Sequence, residues 1–421
     1  MSSNKKLLFQ YDVTLGCDPE FFFEGARGKT TGAEKVLPEA GLVYPPGTTG
    51  KRDGDYTSCG GVAASKIVID GVQAELNPRP NTCRANLANE ISACFRQLHK
   101  ELEKNGSKIG VSFKPLVNIT QKELDSLSEK SKTFGCAPST NLYQHAESKI
   151  TVDPKKYRKR SAGGHIHLGA VGGYGDGVKN ALANVDEMVY MLDIIVGNTS
   201  VLLDRNPNNV ERRKVYGRAG EYRSKSYGIE YRTLSNYWLQ SYQLMSFVTG
   251  LARMAVHIVA QSSLKGEGRN FVGEIKAAVK KEDIVKAIQE NDFALAYSNF
   301  LKIQDIILDI ASDCYSYPIN RDNINQFHWF VKKGISYWFK EDPFKHWITL
   351  PEGHGRGFES FLTNKVSADM AKSKELAEAL KKQIESIKAL KEKISDALKE
   401  LEPAVEKPTK KVVEVKEAVV R

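Results

Sequence analysis

The chain is 421 residues long and 41% hydrophobic, and its 61 lysines and arginines against 51 acidic residues leave a formal net charge of +10. Such a length and apolar content are ordinary for a soluble globular protein and allow a large core in two or three domains. Three classes are set aside at once. No secretory leader is expected, because Met1-Ser-Ser-Asn-Lys-Lys6 meets only a brief apolar patch, Leu7 to Phe9. Asp193 and Arg253 interrupt the most apolar helical stretches, which argues against membrane spans. The six cysteines (Cys17, Cys59, Cys83, Cys94, Cys136, Cys314) are scattered without a C-x-x-C pair, so they read as free thiols of a cytosolic protein. The positive charge is local, in Lys155-Lys-Tyr-Arg-Lys-Arg160 and Arg212-Arg213-Lys214. A general nucleic-acid binder spreads basic residues along a face with exposed aromatics between them, whereas dense clusters point to a bound anion such as a nucleotide phosphate. Lys155 to Arg160 are expected to orient an acidic substrate.

In chain order, Tyr11 to Phe23 is β-prone, and Asp18 and Glu20, two residues apart, are expected to share a face. Pro19 between them cannot donate to a ladder and predicts an edge or a bulge. Thr30 to Gly61, rich in Gly, Pro and Thr, predicts a long surface loop of the kind that binds ligands. In Lys66 to Asn77, Asp70-Gly71 between two β-prone runs predicts a hairpin, with Asp70 a turn residue rather than a ligand. On its return strand Gln73, Glu75 and Asn77 share one face and Val72, Ala74 and Leu76 the other. Ala85 to Asn105 carries Leu87, Ile91, Leu98 and Leu102 at helical spacing and stops at Gly106.

Ser161-Ala-Gly-Gly-His-Ile-His-Leu-Gly169 places two imidazoles on one face of a short strand, while Ile166 and Leu168 take the other face into a core. A single histidine there would read as an ordinary hydrogen-bonded residue. Two aligned histidines among glycines point to metal or phosphate. Gly172 to Gly177 has neither the P-loop ending nor G-x-G-x-x-G spacing and reads as a connector into one long helix, Val178 to Asp204. From Glu211 to Ser235 charged residues crowd short β segments, with Glu221 and Arg223, and Glu230 and Arg232, each paired on one face. Arginine's planar fork fits phosphate and carboxylate oxygens.

Ser241 to Ser262 and Asn270 to Asp313 are expected to be helical, followed by an aromatic stretch with Trp329, Trp338 and Trp347 and a mobile basic loop, Gly353 to Gly357. Leu380, Ile387, Ile394 and Leu401 then recur every seven residues, with Leu376 and Leu390 at companion positions, as in a coiled-coil or docking helix. Gln383 and Ala397 weaken that seam. The organisation expected is a catalytic domain over 1–350, a linker over 351–367, a long amphipathic helix over 368–402 and a disordered tail over 403–421.

Together the polar faces offer Asp18, Glu20, Glu75, His165 and Glu230 as metal ligands and His167, Arg218, Arg223 and Arg232 as phosphate donors. Oxygen-rich sites with an imidazole suit Mg or Mn, and carboxylates with arginines opposite are the arrangement that phosphoryl transfer from ATP requires. D-P-E-F-F at Asp18 to Phe22, Q-A-E-L at Gln73 to Leu76, G-H-I-H at Gly164 to His167 and E-Y-R at Glu230 to Arg232 resemble four signatures of the glutamine synthetase and glutamate-cysteine ligase-like superfamily, in the same order. The longer strings G-G-H-I-H-L-G, R-R-K-V-Y-G-R-A-G and Y-G-I-E-Y-R-T-L-S-N-Y-W are similar to its phage-encoded type 2 amidoligases.

The resemblance implies an α+β fold, an antiparallel catalytic sheet backed by helices, that forms an amide from a carboxylate and an amine with ATP and Mg or Mn, through an acyl phosphate. It implies Glu20 and Glu75 at one metal, and Asp18, His165 and Glu230 at a metal bridging the ATP phosphates. His167 and Arg213 would contact the nucleotide, and Arg232, Arg223 and Arg218 the transferred phosphoryl group. Asp18 stands where glutamine synthetase has a longer glutamate, and that enzyme's ammonia-site loop has no counterpart, so an amine other than ammonia is expected. Further expectations are the host bacterial cytoplasm, self-association through the C-terminal helix, and neither a membrane nor a nucleic-acid partner. A guanidino kinase-like phosphotransferase and an idle virion or scaffold protein are the alternatives.

Overall fold

Pro19 decides the first step of the architecture. It offers no N–H, so β1 (Val13–Cys17) ends before it and β2 (Glu20–Glu24) starts after it in a different sheet. The expected single strand with Asp18 and Glu20 on one face is therefore replaced by a crossing between sheets. The computed structural model describes residues 13–44, 65–104, 106, 108–134, 139–148, 150, 152–170, 176–262, 269–312, 317–351 and 357–401.

The other strands are β3 (Thr30–Thr31), β4 (Leu42–Tyr44), β5 (Ser65–Asp70), β6 (Gln73–Asn77), β7 (Gly110–Ser112) and β8 (Leu116–Asn118). After them come β9 (Ser139–Asn141), β10 (Ala146–Ser148), β11 (Lys159–Ser161), β12 (Ile166–Ala170), β13 (Glu221–Lys225) and β14 (Gly228–Tyr231). One sheet runs β1-β12-β14-β13-β9-β10 and the other β3-β2-β6-β5-β4 with β7 added on β2, while β8 and β11 pair separately. All the pairings are antiparallel. The fold is α+β, as expected.

Four registers set the site. His167 lies opposite Gly16 on one side and Glu230 on the other, and Glu230 lies opposite Arg223. Glu20 lies opposite Glu75. The Asp70-Gly71 hairpin forms as predicted, with Gly71 at φ +63°, a conformation that glycine adopts without a Cβ penalty. Of the expected long loop, Thr30 to Tyr44 contains β3, a short turn at Ala33–Lys35 and β4, and residues 45–64 lie outside those described.

The three phenylalanines after Glu20 anchor β2. Phe21, Phe22 and Phe23 are fully buried, each worth about 1.5–3 kcal/mol of burial. Phe21 meets Phe95 edge-on at 5.4 Å, which fastens the sheet to the helix Arg84–Lys104. That helix buries Leu87, Ile91, Phe95, Leu98 and Leu102, the stripe its periodicity predicts.

The expected long helix from Val178 to Asp204 is interrupted. Helix Asp176–Ala183 ends at Asn184, whose backbone (φ −82°, ψ 71°) is not helical, and Val185–Leu192 begins anew. Asparagine competes for local backbone hydrogen bonds and disfavours a helix interior, which the apolar stripe alone does not reveal. A π turn, Asp193–Gly197, then buries Asp193, whose carboxylate accepts the Tyr143 hydroxyl at 2.7 Å and the Tyr231 hydroxyl at 2.6 Å. Among the described residues, only Tyr242–Ser262 is a helix long and apolar enough to cross a membrane, and it is buried within the fold. The stretch from Asn270 forms three helices, Phe271–Ala278, Lys281–Gln289 and Phe293–Ala311. Trp338 and Trp347 are buried, whereas Trp329 lies beneath the ammonium groups of Lys332 and Lys333.

The chain divides into two units, Met1–Thr363 and Asn364–Arg421. The second contains the helix Ser367–Leu401, along which Leu376, Leu380, Ile387, Leu390 and Ile394 are exposed. Residues 353–356 and the tail 403–421 lie outside those described, as do Gly172 to Gly175, Cys59, Cys136 and Cys314. Cys17, Cys83 and Cys94 are free thiols.

Candidate active site

Two clusters of ligand-type side chains flank the sheet crossing. Asp18, His167 and Glu230 bring ligand atoms within 4.8 Å of one another, and so do Glu20, Asp70 and Glu75.

The first cluster is rich in charge of both signs. Asp18 reaches both imidazoles, Oδ1 lying 2.9 Å from His165 Nδ1 and Oδ2 3.2 Å from His167 Nε2. The two histidines do share a face, as their spacing requires. His165 Nδ1 is also 3.7 Å from Glu230 Oε1. Three cations converge on Glu230: Arg232, Arg223 at 3.4 Å and Lys225 at 2.9 Å. Burial and Asp18 push Glu230 up, but His165, His167 and Arg232 outweigh them and hold it at about 2. Asp18 is likewise held well below the usual carboxylate range, against burial, by the two histidines. His165 is pushed down to about 4 by burial and by Arg232, so its ring is neutral near pH 7. His167 rises despite burial because Asp18 faces it, and its ring stacks on Tyr227 at 5.9 Å with Nδ1 bonded to the Tyr227 hydroxyl.

The second cluster is made of carboxylates. Gly163 N donates to Glu20 Oε2 at 2.6 Å and Asn77 Nδ2 to Glu75 Oε1 at 2.8 Å. Asp70 Oδ2 is buried with no hydrogen-bond partner among the described residues. Burial, then the charge of Asp70, raises Glu20 to about 8. Burial, then Asp18, raises Asp70 to about 6, and burial with the neighbouring acids raises Glu75 well above its usual value. Buried carboxylates that repel one another require a cation or a proton. An all-oxygen set with an unpartnered buried oxygen fits a hard divalent ion such as Mg or Mn.

Tyr216 touches both clusters. Its hydroxyl bonds His165 Nε2, lies 3.4 Å from Glu20 Oε1 and accepts Arg232 Nη2 at 3.3 Å.

Of the residues singled out from sequence, Asp18, Glu20, Glu75, His165, His167, Arg223, Glu230 and Arg232 come together here. Arg213 and Arg218 point elsewhere. Buried Arg213 donates to Asn291 Oδ1 at 2.9 Å, and burial lowers it to about 9. Arg218 donates to the Lys214 carbonyl at 2.6 Å and lies 3.6 Å from Glu221, so Glu221 pairs with Arg218 rather than with Arg223. The basic run upstream is also engaged. Arg160 is buried and donates to the carbonyls of Pro154 (2.6 Å) and Lys132 (3.3 Å), while Lys155 and Lys159 pair with Glu129 and Glu211 at 2.6 Å.

Asp70, Lys225, Tyr227 and Tyr216 were not legible as site residues. Asp-Gly reads first as a turn, and Asp70 serves both as turn and as cluster member. A tyrosine carries no spacing signature.

Residues 139–342 match the family model for phage phiEco32-like COOH·NH2 ligase type 2. The match is to a family of carboxylate-amine ligases and covers a little less than half of the chain. The matched segment contains His165, His167, Arg223, Glu230 and Arg232, while Asp18, Glu20, Asp70 and Glu75 precede it. Among solved structures, apo GmaS without ligand is similar at 12% identity and a TM-score of 0.31, over 70% of this chain and 69% of that one. No curated protein matches the chain.

Proposed function

We propose that this protein is a carboxylate-amine ligase that depends on ATP and forms an amide through an acyl phosphate. A substrate carboxylate oxygen attacks the γ-phosphorus, the bond to the bridging oxygen breaks, and ADP leaves. The lone pair of an amine then adds to the acyl carbon. The carbon–oxygen bond to phosphate breaks, the nitrogen gives up its extra proton, and inorganic phosphate departs from the amide.

Glu20, Asp70 and Glu75 would hold one divalent ion and Asp18, His165 and Glu230 a second, magnesium or manganese, whose contribution is to neutralise phosphate oxygens. Arg232 and Arg223 donate to the transferred phosphoryl group, where preorganised charge-assisted hydrogen bonds lower the barrier. His167 donates to the nucleotide phosphates, its ring held by Tyr227. Arg213 and Arg218 have no role in this reading.

The observation that carries it is the carboxylate cluster. Glu20, Asp70 and Glu75 bring oxygens within 4.8 Å of one another, and Asp70 Oδ2 is buried with no hydrogen-bond partner among the described residues. The test is calorimetric titration of ATP with and without Mg, on the wild type and on Glu75→Gln. Metal-dependent binding that collapses in the variant is the expected result. ATP binding indifferent to Mg in the wild type would sink the reading, and a phosphoramidate product in place of an amide would make the protein a phosphotransferase. The reading includes action in the cytoplasm, that of a bacterial host if the chain is phage-encoded, and self-association along Leu376, Leu380, Ile387, Leu390 and Ile394.

A further inference from the structure

We propose that the helix Ser367–Leu401 joins two or more copies of this chain in a parallel, in-register coiled coil, and that Gln383 is the residue that fixes the direction. The inference rests on the self-association proposed above and is independent of the ligase chemistry.

The helix is 35 residues long, and seven of the ten large apolar side chains exposed among the described residues lie on it, from Leu376 to Leu398. Each of the seven is 49% to 64% exposed. The stripe is roughly 33 Å long at a helical rise of about 1.5 Å per residue. A soluble monomer rarely leaves a continuous apolar patch of that extent in water.

The period of the stripe identifies what covers it. Leu380, Ile387 and Ile394 stand seven apart, and Leu376, Gln383, Leu390 and Ala397 form a companion row offset by three or four residues. A sustained seven-residue repeat follows a helix of the same pitch rather than a flat surface. The next longest described helices, Arg84–Lys104 and Tyr242–Ser262, have 21 residues and bury their apolar side chains within the first unit. A second copy supplies the matching helix. Charge does not oppose it: residues 367–401 hold eight lysines against seven acids, in a chain whose net charge is +10. Ile384 and Leu398, four residues after Leu380 and Ile394, flank the seam and widen it.

Gln383 sets the direction. In a parallel, in-register coil each seam residue faces its own counterpart, so the Gln383 amides meet and each donates to the other's oxygen. In an antiparallel coil the two rows face each other. In every antiparallel overlap that covers Ile394, Gln383 then meets Leu380, Ile387, Ile394 or Leu401 of the other copy. Those side chains offer no hydrogen bond, and a buried amide without one is costly. One polar residue in an apolar seam specifies register in this way at some cost in stability.

The test uses the full chain. Light scattering after gel filtration should give a mass of two or more chains. Photo-reactive benzoylphenylalanine in place of Leu376, in a mixture of ¹⁴N and ¹⁵N chains, then reports the direction by mass spectrometry. Cross-links between copies within one turn of Leu376 are the expected result. Gln383→Leu should tighten the association and add cross-links at Ile387 or beyond, because its seam no longer distinguishes the two directions. A monomeric chain would overturn the proposal, and so would wild-type cross-links at Ile387 or beyond, or onto residues 1–363. A cross-link pattern unchanged in Gln383→Leu would remove Gln383 as the orienting residue. The mass measurement needs no substitution, so misfolding of a variant leaves it intact. An antiparallel assembly would keep self-association and lose this inference, whereas a monomer that makes an amide would lose both and leave the ligase reading standing.

Discussion

Glu230 and Glu20 are both fully buried glutamates, yet the first is held at about 2 and the second is pushed to about 8. Burial acts in the same direction on both. The difference lies in their company: Glu230 has Arg223, Lys225 and Arg232 around it, whereas the largest charge effect on Glu20 is repulsion by Asp70, which the Gly163 N–H and Arg232 oppose only in part. One cluster therefore carries its own counter-charge, and the other is arranged for a charge brought from outside. A cluster already balanced can position phosphate beside any ion it holds, while one that is not depends on a cation from outside.

Removing an acid should have opposite effects in the two clusters. Glu230→Gln leaves Arg232 buried beside an uncharged amide, and loss of a partner of this kind costs about 3–5 kcal/mol. A lowered midpoint in urea unfolding checks it, and a midpoint equal to the wild type would mean the cations find other acceptors. Next in size, Arg232→Lys keeps the charge but loses the planar fork, and amide synthesis should fall by about 10²- to 10³-fold in kcat. An unchanged kcat would remove Arg232 from phosphoryl stabilisation.

The pH dependence follows from the carboxylate cluster. Glu20 and Asp70 have folded values near 8 and 6, raised above their usual 4.5 and 3.8, so between these limits the folded state binds more protons than the unfolded one. Stability of the metal-free protein is therefore fullest below about pH 4 as far as these groups are concerned, and falls as pH rises through 6 toward 8. Mg should offset the loss, and the rise in Tm that it produces should grow with pH over the same window. A Tm increment independent of pH would count against ion binding by these acids. Smallest in size, Glu75→Gln should stabilise the metal-free protein at pH 8 by on the order of 1 kcal/mol, since it relieves repulsion on its neighbours. Destabilisation there would mean that Glu75 is held by interactions other than a cation.

Local chemistry was readable wherever a period of two along a strand decided it. His165 and His167 both reach Asp18, and Glu230 and Arg232 meet, as their spacing predicts. The same rule failed for Asp18 and Glu20, because Pro19 ends one strand and the chain changes sheets. Glu221 and Arg223 stand two apart on β13 yet take different partners, and Arg213, placed in a helix, turns toward Asn291. The Lys155 to Arg160 run looked like an anion-binding surface. In the fold, Arg160 is instead consumed by backbone carbonyls.

The sequence by itself determined which ligand types exist, their order along the chain, the Asp70-Gly71 hairpin and the amphipathic helices, because these depend on neighbours within a few residues. Tertiary structure alone decided which acids come together. Asp70 joins Glu20 and Glu75 across strands, and Tyr216 reaches Glu20 over 196 positions of chain. Such contacts are set by strand order and register, which arise from burying both sheets and their helices together, and no local spacing encodes them.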